Sequence, residues 1–451
     1  MNSKFGTTLK VNIFGESHGD FIGCEVSGFP KGETVDLTEL ASFMDRRKPG
    51  GALTTPRKEA DLPTFESGLS DGALTGGTLR AVIQNTNKRS GDYENLRFCP
   101  RPSHADYTAR CKYGDSMDLR GGGHFSGRLT APLCVAGGIA KQILACRGIF
   151  VGAHLMQVGS VSDEAFPLHP TKELFEELAA KSFPTLSDQA ATAMQEEIKD
   201  ALSKNDSVGG MIECAIIGLP VGLGTPRYQG MESKLAEVCF GIPAIKGIAF
   251  GSGYDCVSSL GSQYNDPFIL VDGKVETETN HVGGVLGGIT NGMPVTFTLA
   301  MKPTPSIGAP QRTVNIATME ETTIVIEGRH DPCVAIRAVP VAEAAAALVV
   351  LDMLLTEGQF PSSANADLKD IRSEIDALDQ QLVTLFQQRM EAAKAVADYK
   401  KEHHLPILNE GREAEVIAKA RANAPGMEDF AEEFVKDMMK LSKDYQAELL
   451  K

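Results

Sequence analysis

The sequence has no pair of cysteines at the close spacing of a metal site, and no secretory signal precedes its nine cysteines. An odd number of scattered cysteines indicates neither a disulfide framework nor a zinc site. We therefore expect reduced thiols, a cytoplasmic location and no bound metal.

Clustered positive charge and long apolar runs are also missing. The formal net charge is −15, from 44 Lys and Arg against 59 Asp and Glu. Nucleic acids and anionic membranes are bound through clustered Lys and Arg, so a general binder of either is excluded and any anion site must be local. No uninterrupted apolar run reaches the roughly 18 residues of a membrane span. The longest, Val339 to Leu355, contains Glu343 and Asp352 and predicts a buried helix.

The glycine-rich segments lack the fingerprints of nucleotide-binding folds. They are RGGGHFS at 120–126 and HVGGVLGGITNG at 281–292. Neither is a G-x-G-x-x-G motif after a clear strand, and neither is a Walker loop. Each alone is typical of a set of turns. Glycine also lets main-chain N–H groups approach a phosphate or a flat ring, so a ligand-binding loop stays open as an interpretation.

Length and the distribution of glycine predict two domains. A chain of 451 residues is longer than the chains that usually fold around one hydrophobic core. Its 42% hydrophobic and 23% charged residues are typical of a globular protein. Glycine is frequent among short apolar runs up to Gly358 and nearly absent afterwards, and Gly358 and Pro361 lie in a segment of linker composition. We predict a domain of mixed strands and helices at 1–357, a linker at 358–366 and an all-α three-helix domain at 367–451.

Apolar residues at three- and four-residue spacing predict one long helix after the linker. The pattern runs from Leu368 toward Tyr399 and stops at Pro406, so the helix covers about 34 residues and about 50 Å. Further helices are predicted at about 410–424 and about 427–450. The first helix is too long for a small monomeric bundle, which implies a partner chain.

Three clusters place histidine among small and basic residues. His18 lies in GESHG, His104 lies in RPSHAD, and GRHDP contains Arg329, His330 and Asp331. A single histidine is most often structural. Three such clusters favour a combined acid/base and anion-binding site, because histidine titrates near neutral pH and arginine binds phosphate and carboxylate with two hydrogen bonds.

Eight motifs occur in order along the first 355 residues: GESHG at 15–19, RRKPG at 46–50, RPSHADYT at 101–108, RGGGHFSGR at 120–128, GIPAIKG at 241–247, GGVLGGITNG at 283–292, KPTPSI at 302–307 and GRHDPCVAIRAVPVAEA at 328–344. Together they resemble chorismate synthase. The resemblance implies an α+β fold of the β-α-β sandwich type, usually a homotetramer. It also implies an enzyme that holds reduced FMN over 5-enolpyruvylshikimate 3-phosphate and eliminates phosphate to give chorismate, with NADPH or another external electron source reducing the flavin.

The resemblance implies roles for individual residues. Breaking a carbon–oxygen bond to phosphate needs charge stabilisation and an electron-rich flavin, and no protein nucleophile. His18 is implied to assist the departing phosphate, His104 to donate a proton beside the flavin, and Asp331 to help flavin N5 accept the substrate proton. Substrate anions are implied to bind Arg47, Arg101, Ser126 and Arg128. Flavin contacts are implied for His124, Phe125, Ser126, Pro243, Ala244, Gly287, Lys302, Pro303, Thr304, Pro305, Ser306 and Arg329.

Two positions depart from the family pattern. Many members have an arginine a few residues after RRxPG, where this chain reads GGALT at 50–54, and Arg57 or Lys58 is the candidate substitute. His124 stands where the family usually has an arginine near the flavin. The second difference bears on flavin affinity more than on the fold.

Dimerisation is the usual role of such a helical segment, but the positions of its cations indicate a further role. Arg389 and Lys400 are eleven residues apart and differ by only about 20° around the helix axis, whereas Arg372 points about 100° away from Arg389. The three cations cannot easily meet within one chain. They could meet where antiparallel helices from two chains share a pocket.

Residues 367–451 carry a second set of motifs: LKDIRSEIDALD at 368–379, Arg389, Tyr399-Lys400, PILNEGRE at 406–413, and Ser442 with Gln446 one helical turn further on. They resemble the all-helical chorismate mutase family, which rearranges chorismate to prephenate in an intertwined dimer. The substrate is a dianion that needs cations at two carboxylates and donors at its ether oxygen. By the resemblance, Arg372 of the partner subunit and Arg389 bind the carboxylates, and Lys400 and Gln446 reach the ether oxygen. The pocket is completed by Asn409, Arg412, Glu413 and Ser442.

The two resemblances predict a bifunctional enzyme whose first domain makes the substrate of the second. Two alternatives stay open. The helical domain could be a sensor or an assembly module without mutase turnover, although a plain dimer helix needs no buried cations. The chain could also bind flavin without turnover, which the presence of His18, His104 and Asp331 together disfavours.

Overall fold

The computed structural model describes residues 2–49, 53–54, 60–86, 98–114, 120–326, 331–360, 368–403 and 410–449, with residues 2, 368–378, 380–381, 410 and 448–449 described by their backbone only. Contacts within the chain divide it into a first unit, Met1–Ala364, and a second unit, Asn365–Lys451. The division falls within the predicted linker at 358–366, whose bounds stay a prediction.

The first unit is built from short strands and a few longer helices. Its strands are β1 (Asn2–Phe5), β2 (Lys10–Gly15), β3 (Phe21–Ser27), β4 (Thr64–Ser67), β5 (Leu69–Ser70), β6 (Ala73–Leu74), β7 (Leu79–Gln84), β8 (Phe150–Val158), β9 (Val161–Ser162), β10 (Gly210–Ile217), β11 (Ile245–Phe250), β12 (Phe268–Val271), β13 (Lys274–Thr277), β14 (Val285–Leu286), β15 (Ile289–Thr290), β16 (Val295–Met301), β17 (Gln311–Asn315) and β18 (Glu320–Ile324). Its helices are α1 (Leu37–Arg47), α2 (Asp106–Tyr113), α3 (Thr130–Ala145), α4 (Lys172–Ala180), α5 (Asp188–Ser203), α6 (Met231–Cys239), α7 (Gly261–Tyr264) and α8 (Ala335–Thr356).

Two five-stranded antiparallel sheets frame this unit. Their strand orders are β1-β2-β3-β7-β4 and β11-β16-β10-β8-β9. Strand β16 alternates between buried and partly exposed residues, as expected when one face of a sheet covers the core, whereas β8 and β10 each contain five consecutive buried residues. Along β16, for example, Val295, Phe297, Leu299 and Met301 are buried.

Helices α3 and α8 pack against each other and against the sheets. Helix α3 contacts β2, β3 and β7 of one sheet and β8 of the other, and α8 contacts β8 and β10. The two helices approach closely because α3 has a glycine at the crossing, where a Cβ on Gly137 would lie 2.3 Å from Ala344 Cβ. The layering confirms the predicted β-α-β sandwich.

Helix α8 contains the segment that was predicted to be a buried helix. Its length and mean hydropathy of 2.0 pass for a membrane span, but 94% of its most apolar window is buried inside the protein, as in a core helix. Both of its acidic side chains have partners. Glu343 accepts two hydrogen bonds from Arg46, and Asp352 accepts a hydrogen bond of 2.7 Å from the backbone N–H of Leu9.

The second unit is helical, as predicted. Its helices are α9 (Leu368–Glu402), α10 (Glu410–Ala422) and α11 (Glu428–Leu449). Helices α10 and α11 run antiparallel, because Arg421 pairs with Glu432 and Glu413 pairs with Lys443. Helix α9 is 35 residues long, close to the predicted 34. Pro406, which was predicted to stop it, lies outside the described residues.

Candidate active site

A cavity of about 340 Å³ opens in the first unit where distant segments of the chain meet. Its walls come from the end of α1, the segment before α2, the glycine segment before α3, the segments beside β11 and β16, and the start of α8. Thirteen residues predicted for catalysis, substrate or flavin line it: Arg47, Arg101, His104, Phe125, Ser126, Arg128, Pro243, Ala244, Lys302, Thr304, Pro305, Ser306 and Asp331.

The residues that line this cavity carry more positive than negative charge, although the chain as a whole is acidic. Among its described lining residues, Asp331 is the only acidic one, against five cations: Arg47, Arg101, Arg128, Lys302 and Arg337. A local excess of arginine suits phosphate and carboxylate groups.

The glycine segment before α3 brings two predicted histidines to one place. Gly121 and Gly122 have φ values of +60° and +89°, which glycine adopts readily. A Cβ on Gly121 would lie 2.3 Å from the ring of His18, and a Cβ on Gly122 would lie 3.3 Å from Nε2 of His104. Glycine is therefore required for the segment to pass this close to both rings.

A carboxylate orients His104. Asp106 Oδ1 lies 2.6 Å from His104 Nδ1, and Asp106 also accepts hydrogen bonds of 2.7 Å from Arg101 Nε and from an Arg101 terminal nitrogen. Burial raises the pKa of Asp106, but the hydrogen bonds from Arg101 and His104 outweigh it and hold that pKa well below its usual value. Since an ionised carboxylate only accepts, Nδ1 donates to it and Nε2 is left on the side of Gly122.

A second carboxylate holds two of the arginines. Asp61 is buried and accepts hydrogen bonds from Arg47 on one oxygen and from Arg128 on the other. Burial raises the pKa of Asp61, but the charges of Arg47 and Arg128 outweigh it and lower that pKa. Asp61 was not predicted as a site residue. It lies in none of the motifs, and only folding brings it between its two partners.

The start of α8 contributes a further ion pair. Asp331 and Arg337 lie 2.7 Å apart, and both line the cavity. Arg337 belongs to the motif at 328–344 but was not predicted as a site residue. Its Nε is buried without a hydrogen-bond partner among the described residues.

The wall formed by the segments beside β11 and β16 combines apolar groups with a lysine. Ala244 has a φ of +75°, a strained value for a residue with a Cβ, and its carbonyl accepts from the backbone N–H of Lys302 at 3.0 Å. The ammonium group of Lys302 donates to the Ser103 carbonyl at 2.9 Å. Burial, and then the charge of Lys246, lower the pKa of Lys302.

Four of the described residues predicted for this site do not line the cavity. His18 is buried against Gly121. His124 lies 2.8 Å from both Ser3 Oγ and the Gly15 carbonyl, through its two ring nitrogens. Gly287 lies in the turn between β14 and β15, and Pro303 is exposed. Arg329 and His330 lie outside the described residues.

The second unit brings three predicted residues into the region between α9 and α11. Arg389 donates hydrogen bonds to Ser442 Oγ and, at 3.2 Å, to the Met438 carbonyl. Ser442 and Gln446, one turn apart, are both buried, and Gln446 Oε1 has no hydrogen-bond partner among the described residues. A half-buried arginine bonded to a buried serine, beside a buried amide, is unusual in a plain dimerisation helix.

The other predicted mutase residues are not gathered there. Lys400 is half-buried near the end of α9. Arg412 is exposed and pairs with Glu415 at 2.6 Å, while Glu413 pairs with Lys443 at 2.9 Å. Asn409 and the side chain of Arg372 lie outside the described residues.

Comparisons with known proteins match both units. A family model of chorismate synthase matches residues 9–355, and a model of chorismate mutase type II matches residues 371–447. The chorismate synthase of Lancefieldella parvula is 45% identical over 377 residues, covering 81% of this chain and 98% of that protein. The chorismate synthase of Thermococcus kodakarensis is 45% identical over 351 residues, covering 78% of this chain and 97% of that protein.

A crystal structure of chorismate synthase is similar in fold, with a TM-score of 0.61 at 24% identity, covering 78% of this chain and 93% of the other. The chain therefore belongs to the chorismate synthase family and, with a chorismate mutase type II domain at residues 371–447, is a bifunctional chorismate synthase and chorismate mutase.

Proposed function

We propose that the first unit binds reduced FMN and 5-enolpyruvylshikimate 3-phosphate in the cationic cavity, and that the second unit rearranges the resulting chorismate in a pocket shared with a partner chain. The observation that supports the first half is the convergence of fixed arginines and a carboxylate-held histidine around one cavity. The substrate carries a phosphate and two carboxylates, which suits that charge.

The arginines bind the substrate anions and stabilise the leaving phosphate. Arg47 and Arg128 are held by Asp61, and Arg101 is held by Asp106 and donates to Ser306 Oγ at 3.0 Å. Side chains fixed before the substrate arrives lose little freedom on binding. As the carbon–oxygen bond breaks, negative charge grows on the phosphate, so the fixed cations stabilise the transition state more than the bound substrate.

Chorismate synthases depend on a reduced flavin, and the residues of the cavity fit FMN. Phe125, Pro243 and Ala244 offer an apolar wall to a flat ring, with Lys302 beside them. The hydroxyl of Thr304 on the same wall is buried without a hydrogen-bond partner among the described residues, as expected of a group that meets a ligand. When bound, the reduced flavin supplies the electron density that the reaction needs.

His104 is the proton donor in this proposal. Its Nδ1 is engaged by Asp106, which fixes the ring and leaves Nε2 as the nitrogen that carries the exchanged proton. Asp331, held by Arg337, is the carboxylate that helps receive the substrate proton, and His18 assists the departing phosphate from beside Gly121.

In the second unit, Arg389, Ser442 and Gln446 form part of a site that a second copy of the chain completes. Helix α9 is continuous, so Arg372 and Lys400 of one chain are about 42 Å apart along it, at about 1.5 Å per residue. We therefore expect Arg372 of the partner subunit, rather than that of the same chain, to complete a pocket with Arg389 and Lys400. Exposed apolar side chains along one face of α11 support a partner there: Phe430, Phe434 and Leu441 are 70%, 52% and 51% exposed.

This proposal implies an assembly and an electron source. We expect a cytoplasmic homo-oligomer, a tetramer in which the mutase units pair as dimers. NADPH or another external donor reduces the flavin.

One anaerobic experiment tests both halves. The full chain is incubated with 5-enolpyruvylshikimate 3-phosphate and either reduced or oxidised FMN, while phosphate, chorismate and prephenate are measured together. We expect phosphate release and prephenate only with reduced FMN, without net oxidation of the flavin. Sustained phosphate release with oxidised FMN would contradict the synthase half. Chorismate that accumulates without prephenate would contradict the mutase half and favour a sensor or assembly role for the helices.

A further inference from the structure

A second cavity of about 280 Å³ lies in the first unit among α1, α3, β8 and α4. Among the described residues, it shares no lining residue with the cationic cavity. Its volume is just below the range of about 300–1,000 Å³ typical of pockets for drug-sized molecules, which favours a smaller ligand.

Aromatic rings from three elements line this second cavity. They belong to Phe43 of α1, Phe150 of β8 and Phe175 of α4. Phe43 lies directly against α3 because position 138 is glycine, where a Cβ would come within 2.9 Å of the Phe43 ring. Such walls favour an aromatic or large apolar group in the ligand.

One side of the second cavity carries excess positive charge. Arg46 donates two hydrogen bonds, of 2.6 and 2.9 Å, to Glu343, and Lys141 donates to the same carboxylate. Burial raises the pKa of Glu343, but Arg46 and Lys141 outweigh it and lower that pKa to about 2. Two cations thus share one ionised carboxylate, which leaves a local positive charge for a ligand anion.

Two carboxylates, Glu39 and Glu176, also line this cavity. Glu39 is exposed at the mouth of the cavity but partly desolvated there, and this desolvation, followed by the charge of Asp36, raises its pKa despite the cations nearby. Glu176 is exposed and lies 3.2 Å from Lys172. A ligand ammonium group beside Glu39 would stabilise the charged form of this carboxylate.

We propose that the second cavity binds a free α-amino acid with an aromatic or large apolar side chain. The side chain packs on Phe43, Phe150 and Phe175, the carboxylate faces Arg46 and Lys141, and the ammonium group faces Glu39. The substrates of the two reactions are anions without an ammonium group, so neither matches a site with both signs of charge.

Isothermal titration of the full chain tests this site with L-phenylalanine as the probe. A ligand of this size in a suitable pocket is expected to bind with a Kd on the order of 0.1–1 mM. 3-Phenylpropionate, phenethylamine and L-alanine each lack one of the three groups and should bind at least about 10-fold more weakly. Absence of L-phenylalanine binding up to about 10 mM would overturn the proposal, as would equal binding of 3-phenylpropionate.

A pair of neighbouring substitutions locates the binding. Ala179 lines the second cavity on α4, whereas Ala180 is exposed and does not line it. Ala179→Trp should weaken L-phenylalanine binding at least about 10-fold by filling the cavity, and Ala180→Trp should leave it unchanged. Equal binding by both variants would place the ligand elsewhere and overturn the assignment.

Glu39→Gln provides the test if Ala179→Trp fails to fold, because Glu39 is exposed. This substitution should weaken L-phenylalanine binding by about 5- to 10-fold while leaving 3-phenylpropionate binding unchanged. Unchanged L-phenylalanine binding would contradict the ammonium contact. These outcomes do not depend on either catalytic activity, so they separate this proposal from the proposed function.

Discussion

The two units arrange their predicted site residues in different ways. In the first unit, side chains from α1 to α8 surround one cavity, and Asp61 and Asp106 hold its arginines in place. In the second unit, Arg389 and Ser442 meet, but Arg412 is exposed and an apolar face of α11 is open to solvent. The first unit thus surrounds a cavity within one chain, whereas the three helices, one of them 35 residues long, leave apolar side chains of α11 exposed.

The largest expected effect is the loss of mutase activity in two single variants and its return when their subunits exchange. Arg372→Ala and Lys400→Ala should each lower mutase activity about 10²- to 10³-fold, the usual scale for removing a group that stabilises transition-state charge. Mixing the two inactive variants should restore up to half of the activity of a wild-type dimer, because one pocket of each heterodimer is intact and the other lacks both cations. Prephenate formation from chorismate is the measurement.

Synthase turnover of the same two variants is the control and should be unchanged, because neither residue belongs to the first unit. Native mass spectrometry would establish that the subunits exchange. Heterodimers without mutase activity would contradict the shared pocket and place the site within one chain.

A second substitution tests whether the first site acts without the helical unit. His104→Ala should lower synthase turnover about 10²-fold or more, the usual scale for losing a positioned acid or base. Mutase activity on supplied chorismate should stay at the wild-type level. Phosphate release and prephenate formation are measured on the same preparation, and normal phosphate release would make His104 a core residue rather than a proton donor.

Asp106 should matter less than His104, because it acts through the two groups it holds, the ring of His104 and the guanidinium of Arg101. Asp106→Asn is expected to lower synthase turnover about 10-fold, and its loss should be smaller when it is combined with His104→Ala, because the part that passes through His104 is already gone. Fully additive losses would contradict the positioning of His104 and leave Arg101 as the group through which Asp106 acts.

Local sequence patterns predicted the helices of the second unit more closely than the strand arrangement of the first. Helix α9 follows an uninterrupted apolar periodicity, so its length of 35 residues was close to the prediction of about 34. The pairing of β3 with β7 depends on residues more than 50 positions apart. Such pairings depend on tertiary contacts, which cannot be predicted from a local sequence pattern.

The same distinction applies to the site. His104 and Arg101 could be predicted because they lie in one motif with Asp106. Asp61 was missed because its partners Arg47 and Arg128 are brought to it only by folding. In the second unit, the sequence indicated that Arg372 and Lys400 cannot meet in one chain, and the continuous α9 supports that geometry.

The smallest expected effect on activity concerns a buried cluster in the first unit that lines neither cavity. His154 is fully buried, with Nδ1 3.2 Å from Asp163 and Nε2 2.8 Å from Glu213. A ring with carboxylate acceptors at both nitrogens is held as the imidazolium. Burial lowers the pKa of His154, but the hydrogen bonds to Asp163 and Glu213 outweigh it and raise that pKa above its usual value.

The pH dependence of stability follows from the direction of these shifts. Because the folded pKa of His154 is raised, its contribution is fully present below the unfolded value of about 6.5 and is lost as the pH rises through the folded pKa. Burial raises the pKa of Asp163, but hydrogen bonds led by the one from His154 outweigh it and lower that pKa. The contribution of Asp163 is therefore present above about pH 3.9 and is lost as the pH falls through its folded pKa.

His154→Gln should therefore lower the free energy of unfolding by about 2 kcal/mol at pH 5.5, the scale of hydrogen bonds to charged groups, and by less at pH 9. Urea unfolding of the full chain at both pH values is the measurement, and His169→Gln is the matched control because His169 is exposed nearby in the sequence. Both activities should be unchanged at 25 °C, since the cluster lines neither the cationic cavity nor the region between α9 and α11. A difference in stability that grows from pH 5.5 to pH 9 would contradict the buried imidazolium, because a neutral ring would then be the form that stabilises the fold.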